Sequence, residues 1–357
     1  MKNRTIMVMA GGTGGHIFPG LAVARELQAR GWKVVWLGAE GGMETRLVPQ
    51  HGFTIETISM RGMRGNGLKR WLSLPLMLAS AFAGAAGVIF RHRPDIAIGF
   101  GGYTGFPGGV MARLCLKPLV IHEQNSVAGL TNRLLAHIAS RTLYAFPGAF
   151  AAKDGLVGNP VRSEIVAQAA PAARFAGRSG PLRVLVVGGS LGAKVFNDTV
   201  PAALALLAED QRPQVVHQAG AKQIDALRDN YAKAGVQADC RAFIDDMAGE
   251  YAAADLVLCR AGALTVAELA AVGVASLLVP YPHAVDDHQT GNARFLSDAG
   301  AARLLPQDTL DAAMLASLLQ SLTRADCLLM AEAARVLALP DAARQVADVC
   351  EQLVRED

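Results

Sequence analysis

Twice in this chain a short β-rich run ends in a glycine-rich loop and passes straight into a helical pattern. The run from Arg4 to Ala10 meets Gly11-Gly12-Thr13-Gly14-Gly15-His16, and apolar helical spacing follows from Leu21 to Leu27. The run from Leu182 to Val187 meets Gly188-Gly189-Ser190-Leu191-Gly192-Ala193, again followed by a helix-like stretch. Strand, glycine loop and helix in that order form the opening unit of a parallel α/β domain. Further apolar runs sit at Val34 to Leu37, Phe53 to Ile58, Ile96 to Ile98, Leu119 to Ile121 and Thr142 to Tyr144 in the first half. The second half has Gln214 to His217, Leu256 to Cys259 and Ser276 to Val279. Helix-length stretches separate them, which predicts α/β architecture with two Rossmann-like domains.

A chain of 357 residues exceeds one ordinary core. The pattern pauses at Val157-Gly158-Asn159-Pro160-Val161, so the expected domains are residues 1–161 and 162–339. The closing segment 340–357 reads as a helix with Val346, Val349 and Leu353 on one face, expected to return to the first domain. With 52% hydrophobic and 18% charged residues, the composition is that of a folded chain. A net charge of +3 is too small for a nucleic-acid surface and fits an anionic small ligand or membrane. Five scattered cysteines suggest neither a zinc site nor a disulfide framework, and so a reducing compartment. The run Ile6 to Ala10 is too short for a signal-peptide core, so nothing points to export.

Trp71 to Phe90 is long enough to span a bilayer, flanked by Arg61, Arg64, Lys69 and Arg70 before it and Arg91, His92 and Arg93 after it. A spanning helix would part Phe53 to Ile58 from Ile96 to Ile98, which read as strands of one sheet, and the symmetric basic flanks give no orientation. A transmembrane helix is therefore rejected. A buried crossover helix and a helix whose outer face meets anionic lipid both remain, the second because basic residues lie beside Trp71, Leu72, Leu74 and Leu76.

A glycine loop at a helix N-terminus suits a phosphate, although tight turns also need glycine. Neither loop completes G-x-G-x-x-G, since Ile17 and Ser190 occupy glycine positions; Glu40 still sits near where a ribose-binding acid would fall. No Walker lysine follows either loop. His16 reads as a helix cap, a turn contact or a general base. His122-Glu123-Gln124-Asn125 gathers four polar side chains at a strand's carboxyl end, a solvated loop or a sugar or acceptor site. Glu268 reads as a first-turn residue stabilising the helix dipole or as a ribose ligand. His283, His288 and Gln289 offer imidazole and amide groups to sugar hydroxyls.

Taken in order, GGTGGH at Gly11, FGGYTGFPG at Phe100, HEQN at His122, GNPVR at Gly158, GGSLGA at Gly188, FIDDM at Phe243 and RAGALTVAE at Arg260 resemble the MurG family. These are the bacterial UDP-N-acetylglucosamine:N-acetylmuramyl-(pentapeptide) pyrophosphoryl-undecaprenol N-acetylglucosaminyltransferases of peptidoglycan synthesis. The resemblance covers nearly the whole chain. It implies a GT-B fold with parallel sheets facing across a cleft, and transfer of GlcNAc from UDP-GlcNAc to the muramyl 4-hydroxyl of lipid I with inversion, giving lipid II.

By the same likeness, Ser190 would bond donor phosphate, Ile244 would meet uracil through its backbone, and Glu268 would bind ribose. Ala263, Leu264, Thr265, Val266 and Ala267 would line the phosphate side at a helix start, with Arg162 at the nucleotide. Asn125 and Gln289 would recognise GlcNAc, and Thr13, Gly14 and Gly15 would complete the donor site. His16 is the first candidate base and Glu123 the second. The family often has two adjacent glutamines where this chain has His288-Gln289. No acidic metal triad is evident, so no obligatory cofactor is expected, though a divalent cation could assist the acceptor diphosphate. The implied location is peripheral, on the cytoplasmic face of the bacterial inner membrane, with a cell-wall synthesis complex as an expected partner. Another UDP-sugar enzyme on this fold, such as an epimerase, and a non-catalytic nucleotide-sugar-binding subunit are the competing readings.

Overall fold

The structure, a computed structural model, describes residues 4–60, 68–151, 155–189 and 191–356. The chain forms two compact units, Met1–Val161 with Leu339–Asp357, and Arg162–Ala338. In the first, β1 (Thr5–Met9), β2 (Lys33–Ala39), β3 (Thr54–Ile58), β4 (Ile96–Gly99), β5 (Leu119–Glu123) and β6 (Arg141–Tyr144) form one parallel sheet in the order β3-β2-β1-β4-β5-β6. In the second, β7 (Arg183–Val187), β8 (Gln214–Gln218), β9 (Asp239–Arg241), β10 (Leu256–Cys259), β11 (Ala275–Leu278) and β12 (Ala302–Leu304) repeat it as β12-β11-β10-β7-β8-β9. Strands β9 and β12 have no counterpart in the sequence expectation. Each is three residues long and carries a charge, Asp239 and Arg241 or Arg303, so neither shows an apolar run.

Both faces of each sheet are covered, which is why the strands read as unbroken apolar runs. Alternation along β1 sends Ile6 and Val8 into one layer with Ile17, Leu21 and Ala24, and Met7 and Met9 into the opposite layer with Ala85, Val88 and Ile89. The first layer also receives the closing helix Ala342–Glu356 through Val346, Ala347, Cys350 and Leu353. Polar contacts fix that helix: Arg30 Nη1 donates to Asp348 Oδ1 at 2.7 Å, and Trp32 Nε1 to Glu351 Oε1 at 3.2 Å.

The long apolar segment is the helix Leu68–His92, joining β3 to β4 within one sheet. Its stretch Pro75–His92 has the length and hydropathy to cross a bilayer. Here Ala81, Ala85, Val88 and Ile89 instead bury one face against the sheet, while Leu76 is 78% and Phe90 69% exposed. Arg61 and Arg64 lie outside the described residues, as do the side chains of residues 68–74.

Candidate functional site

In an open parallel sheet the loops at the carboxyl ends of two strands diverge where the strand order reverses, and ligands bind there. The reversals fall between β1 and β4 in the first unit and between β7 and β10 in the second. The glycine loops follow β1 and β7, FGGYTGFPG follows β4, RAGALTVAE follows β10, and HEQN lies at the carboxyl end of β5 beside β4.

In the first unit the loop after β1 and the loop after β4 pack directly on one another. Gly102 has φ +78°, and a Cβ on it would stand 2.6 Å from the Gly11 carbonyl oxygen, so only glycine permits the approach. His16 lies in the first turn of the helix Gly14–Ala29, whose N-cap is Thr13, so it does not itself cap the helix. Its Nδ1 is 3.3 Å from both the Gly11 carbonyl oxygen and Thr13 Oγ1, and its ring edge faces Gly101.

Beneath the loop lies Glu44, which sequence reasoning missed. It is fully buried, with Oε2 accepting from the Gly12 amide at 3.1 Å and Oε1 from the Ala39 amide at 2.9 Å. Glu40, the acid the dinucleotide reading singled out, is exposed. The Gly12 amide that would cradle a pyrophosphate is therefore already spent on a carboxylate, which disfavours a second anion there.

The His122-Glu123-Gln124-Asn125 motif divides into three buried side chains and one partly buried. His122, Glu123 and Gln124 are at most 3% exposed, whereas Asn125 is only partly buried. His122 Nε2 donates to the Gly158 carbonyl at 2.9 Å and Nδ1 accepts from Gln124 Nε2 at 3.0 Å, which fixes a neutral tautomer. Burial pulls its pKa down to about 4. Glu123 Oε1 accepts from the Asn125 amide at 3.0 Å and Asn125 Nδ2 at 3.3 Å. Its Oε2 accepts from the Gly129 amide at 3.1 Å and Asn132 Nδ2 at 2.9 Å. A carboxylate has about four lone-pair sites and all are taken. Glu123 is thus a loop-holding carboxylate whose hydrogen-bonding capacity is engaged, which disfavours it beside His16 as a base.

In the second unit, the loop after β7 is held by Gln218, also missed from the sequence and 2% exposed. Its Nε2 donates to the Gly189 carbonyl at 2.9 Å and its Oε1 accepts from the Ile244 amide at 3.0 Å. One side chain therefore ties the glycine loop to the Phe243-Ile244 turn. Ser190 lies outside the described residues.

The helix Ala263–Val272 starts after β10 with no acidic residue in its first turn. Glu268 is its sixth residue, which corrects the first-turn dipole reading, since that effect fades beyond the opening turn. The Glu268 side chain, 14% exposed, instead meets Arg162 Nη2 at 3.4 Å and accepts from Tyr251 Oη at 3.3 Å. Burial raises its pKa and Arg162 opposes the rise. Leu264 and Thr265 contribute first-turn amides that have no intrahelical acceptor, while Val266 already donates to the Gly262 carbonyl. Ala263 and Val266 are buried and Leu264, Thr265 and Ala267 partly so. Gln289 is the second residue of the helix His288–Ser297 and its Oε1 accepts from the Tyr281 amide at 2.9 Å. Among the described residues no group of three or more His, Cys, Asp or Glu forms a metal cluster.

Residues 6–144 match the glycosyltransferase family 28 N-terminal domain and residues 183–352 the glycosyltransferase family 28 C-terminal domain. The chain belongs to glycosyltransferase family 28. Within this family it is 63% identical over 350 residues to the UDP-N-acetylglucosamine--N-acetylmuramyl-(pentapeptide) pyrophosphoryl-undecaprenol N-acetylglucosamine transferase of Aromatoleum aromaticum, covering 98% of each chain. The protein of the same name from Dechloromonas aromatica is 58% identical, over 99% of this chain and 100% of that one. The crystal structure of Acinetobacter baumannii MurG superposes with a TM-score of 0.87 at 41% identity, over 98% and 99% of the two chains. The calicheamicin glycosyltransferase CalG4, at 18% identity, TM-score 0.68 and full coverage of this chain, shares the fold. The family 28 chain described here therefore has the two-domain, Rossmann-like GT-B fold. The N-terminal family match spans the His16 loop and the HEQN turn, and the C-terminal match spans Ile244, Glu268 and Gln289.

Proposed function

We infer that this family 28 chain is an N-acetylglucosaminyltransferase that moves GlcNAc from UDP-GlcNAc to lipid I and so forms lipid II. The observation carrying this reading is full-length identity of 63% to a transferase named for that reaction. Donor and acceptor are both substrates of the chain.

The nucleotide is assigned to the second unit. Glu268 takes the ribose hydroxyls, its buried carboxylate held by Arg162 and Tyr251. The Ile244 amide is engaged by Gln218, so the base meets Ile244 through its carbonyl. The diphosphate belongs to Ser190 and to the Leu264 and Thr265 amides, where the positive end of a helix dipole faces charge that grows as the glycosidic bond breaks. Gln289 and Asn125 are assigned to the sugar.

The acceptor is assigned to the first unit. Its 4-hydroxyl attacks the anomeric carbon directly, which inverts the configuration, and gives its proton to His16. With Glu123 saturated, His16 alone of the two candidates keeps the base role. No obligatory metal enters this scheme; a divalent cation acts only on the acceptor diphosphate.

A peripheral membrane position follows from the acceptor's lipid. Leu114, Leu116, Leu130 and Leu134 are 69%, 87%, 64% and 48% exposed, interleaved in sequence with Arg113, Lys117 and Arg133. Apolar side chains interspersed with cations suit an anionic bilayer surface. We assign these side chains to contact with the cytoplasmic side of the inner membrane, where a cell-wall synthesis complex would be a neighbour.

The test is transfer of labelled GlcNAc from UDP-GlcNAc to a short-chain lipid I analogue, with UDP release followed in parallel. Incorporation with UDP release only in the presence of acceptor supports the reading. Isomerised UDP-sugar without acceptor would establish an epimerase, and donor binding without turnover a binding subunit.

A further inference from the structure

Arg260 follows β10 directly and precedes the helix N-terminus at Ala263, the position of a phosphate ligand at a nucleotide-binding edge. Its geometry sends it elsewhere. Nη1 donates to the carbonyls of Val279 and Pro280, both at 3.2 Å, and Nη2 donates to Gln307 Oε1 at 2.6 Å. The guanidinium carbon lies 5.0 Å from the Phe196 ring centre and 5.4 Å from that of Tyr281, within cation–π range of both. Its charge is thus held by a turn and two aromatic rings.

That turn is the one that orients Gln289. Proline at 280 has no N–H, so the first amide beyond Val279 is Tyr281, and it donates to Gln289 Oε1 at 2.9 Å. A backbone N–H only donates, so the oxygen end of the Gln289 carboxamide must face the turn and the NH2 end must face away. The approach to Gln289 is strained as well. Asp286 and Asp287 are consecutive non-glycine residues at φ 52° and 48°, with Asp287 Oδ1 accepting from Thr290 Oγ1 at 2.7 Å. Such backbone persists only where its surroundings over-determine it.

We propose that Arg260 is a positioning residue which, by clamping the Val279-Pro280-Tyr281 turn, fixes Gln289 with its NH2 end toward the donor sugar and makes no contact of its own with the diphosphate. This rests on the assignment of Gln289 to the sugar of UDP-GlcNAc.

The experiment compares KM for UDP-GlcNAc with the Kd of UDP in the full chain, for Arg260→Lys, Gln307→Ala, Gln289→Ala and Arg260→Lys combined with Gln289→Ala. Lysine keeps the charge but cannot span two carbonyls and Gln307 as a planar fork does. Arg260→Lys should raise KM for UDP-GlcNAc about tenfold, equivalent to one good hydrogen bond, and leave UDP affinity within about twofold. In the Gln289→Ala background the same change should have no further effect, because its route to the sugar is gone. A parallel loss of UDP affinity in a folded Arg260→Lys protein, or additive effects in the double variant, would overturn the proposal. If Arg260→Lys fails to fold, Gln307→Ala carries the test through a smaller rise in KM with UDP affinity kept; no rise there overturns it. An unchanged KM in Gln289→Ala would instead sink the sugar assignment on which the proposal rests.

Discussion

Asn132 Nδ2 donates to Glu123 Oε2 at 2.9 Å, and with that contact the last lone pair of a buried carboxylate is taken. Three of its four donors come from the turn that follows β5, at Asn125 and Gly129, and the fourth from the helix Leu130–Leu135. The carboxylate therefore fixes the position from which Asn125 emerges.

Glu123→Gln supplies the discriminating variant, because an amide keeps the size but loses acceptors facing Gly129 and Asn132. A holding role predicts loss of about 1–3 kcal/mol of stability, read from the urea midpoint, along with loss of activity. Loss of activity with the midpoint unchanged would overturn the holding role and return Glu123 to the base candidates.

His16→Ala should lower kcat by about 10²- to 10⁴-fold, the usual range for a lost general base, with KM for UDP-GlcNAc nearly unchanged. Steady-state kinetics with saturating acceptor measure this. Turnover near that of the unaltered protein would remove His16 from the mechanism.

Glu268→Ala removes the carboxylate assigned to ribose and leaves Arg162 with only the more exposed Glu164, 3.8 Å away. KM for UDP-GlcNAc should rise about 10- to 100-fold, the value of a charge-assisted hydrogen bond, with a smaller change in kcat. Titration with UDP alone should show the same loss, since the ribose belongs to both ligands.

Gln218→Leu fills the same space without its two hydrogen bonds, leaving the Ile244 amide unpaired and the Gly189 carbonyl with the Gly192 amide alone. UDP affinity should fall about tenfold and the thermal midpoint should drop, as expected for buried polar groups deprived of partners. Calorimetry on one preparation reports both quantities.

Acid should weaken both units through buried neutral histidines. Burial lowers His122 from 6.5 to about 4 and His217 from 6.5 to about 3. Between those values and 6.5 the unfolded chain binds more protons than the folded one. Stability is thus full above pH 6.5 and is lost as pH falls toward 4, by on the order of 3 kcal/mol for His122. Glu268 acts in the opposite sense: its folded pKa is raised above 4.5, so its contribution declines as pH rises through that window. Urea midpoints from pH 7 down to 4.5 should fall, and His217→Gln should flatten the slope for the second unit.

The two glycine loops, most of the strands and the order of motifs were legible in the sequence because their causes are local. A run such as Ile6-Met7-Val8-Met9 followed by glycine is a strand and turn whatever lies far away. The ordered motif set likewise carried the family, since it needed no contact map. Tertiary structure decided which polar side chains are buried and which stay partly exposed. His122, Glu123, Gln124 and Asn125 are equivalent as letters, and only packing against Gly158, Gly129 and Asn132 turned three inward. Glu44 and Gln218 could not be found because their partners, Gly12, Gly189 and Ile244, lie far along the chain and no periodicity marks them. Glu268 needed the helix start at Ala263 before it could be moved out of the first turn. Strand and loop identity follow from short-range sterics and burial pattern, which a sequence carries. The pairing of buried donors with acceptors depends on distances that exist only once the chain has folded.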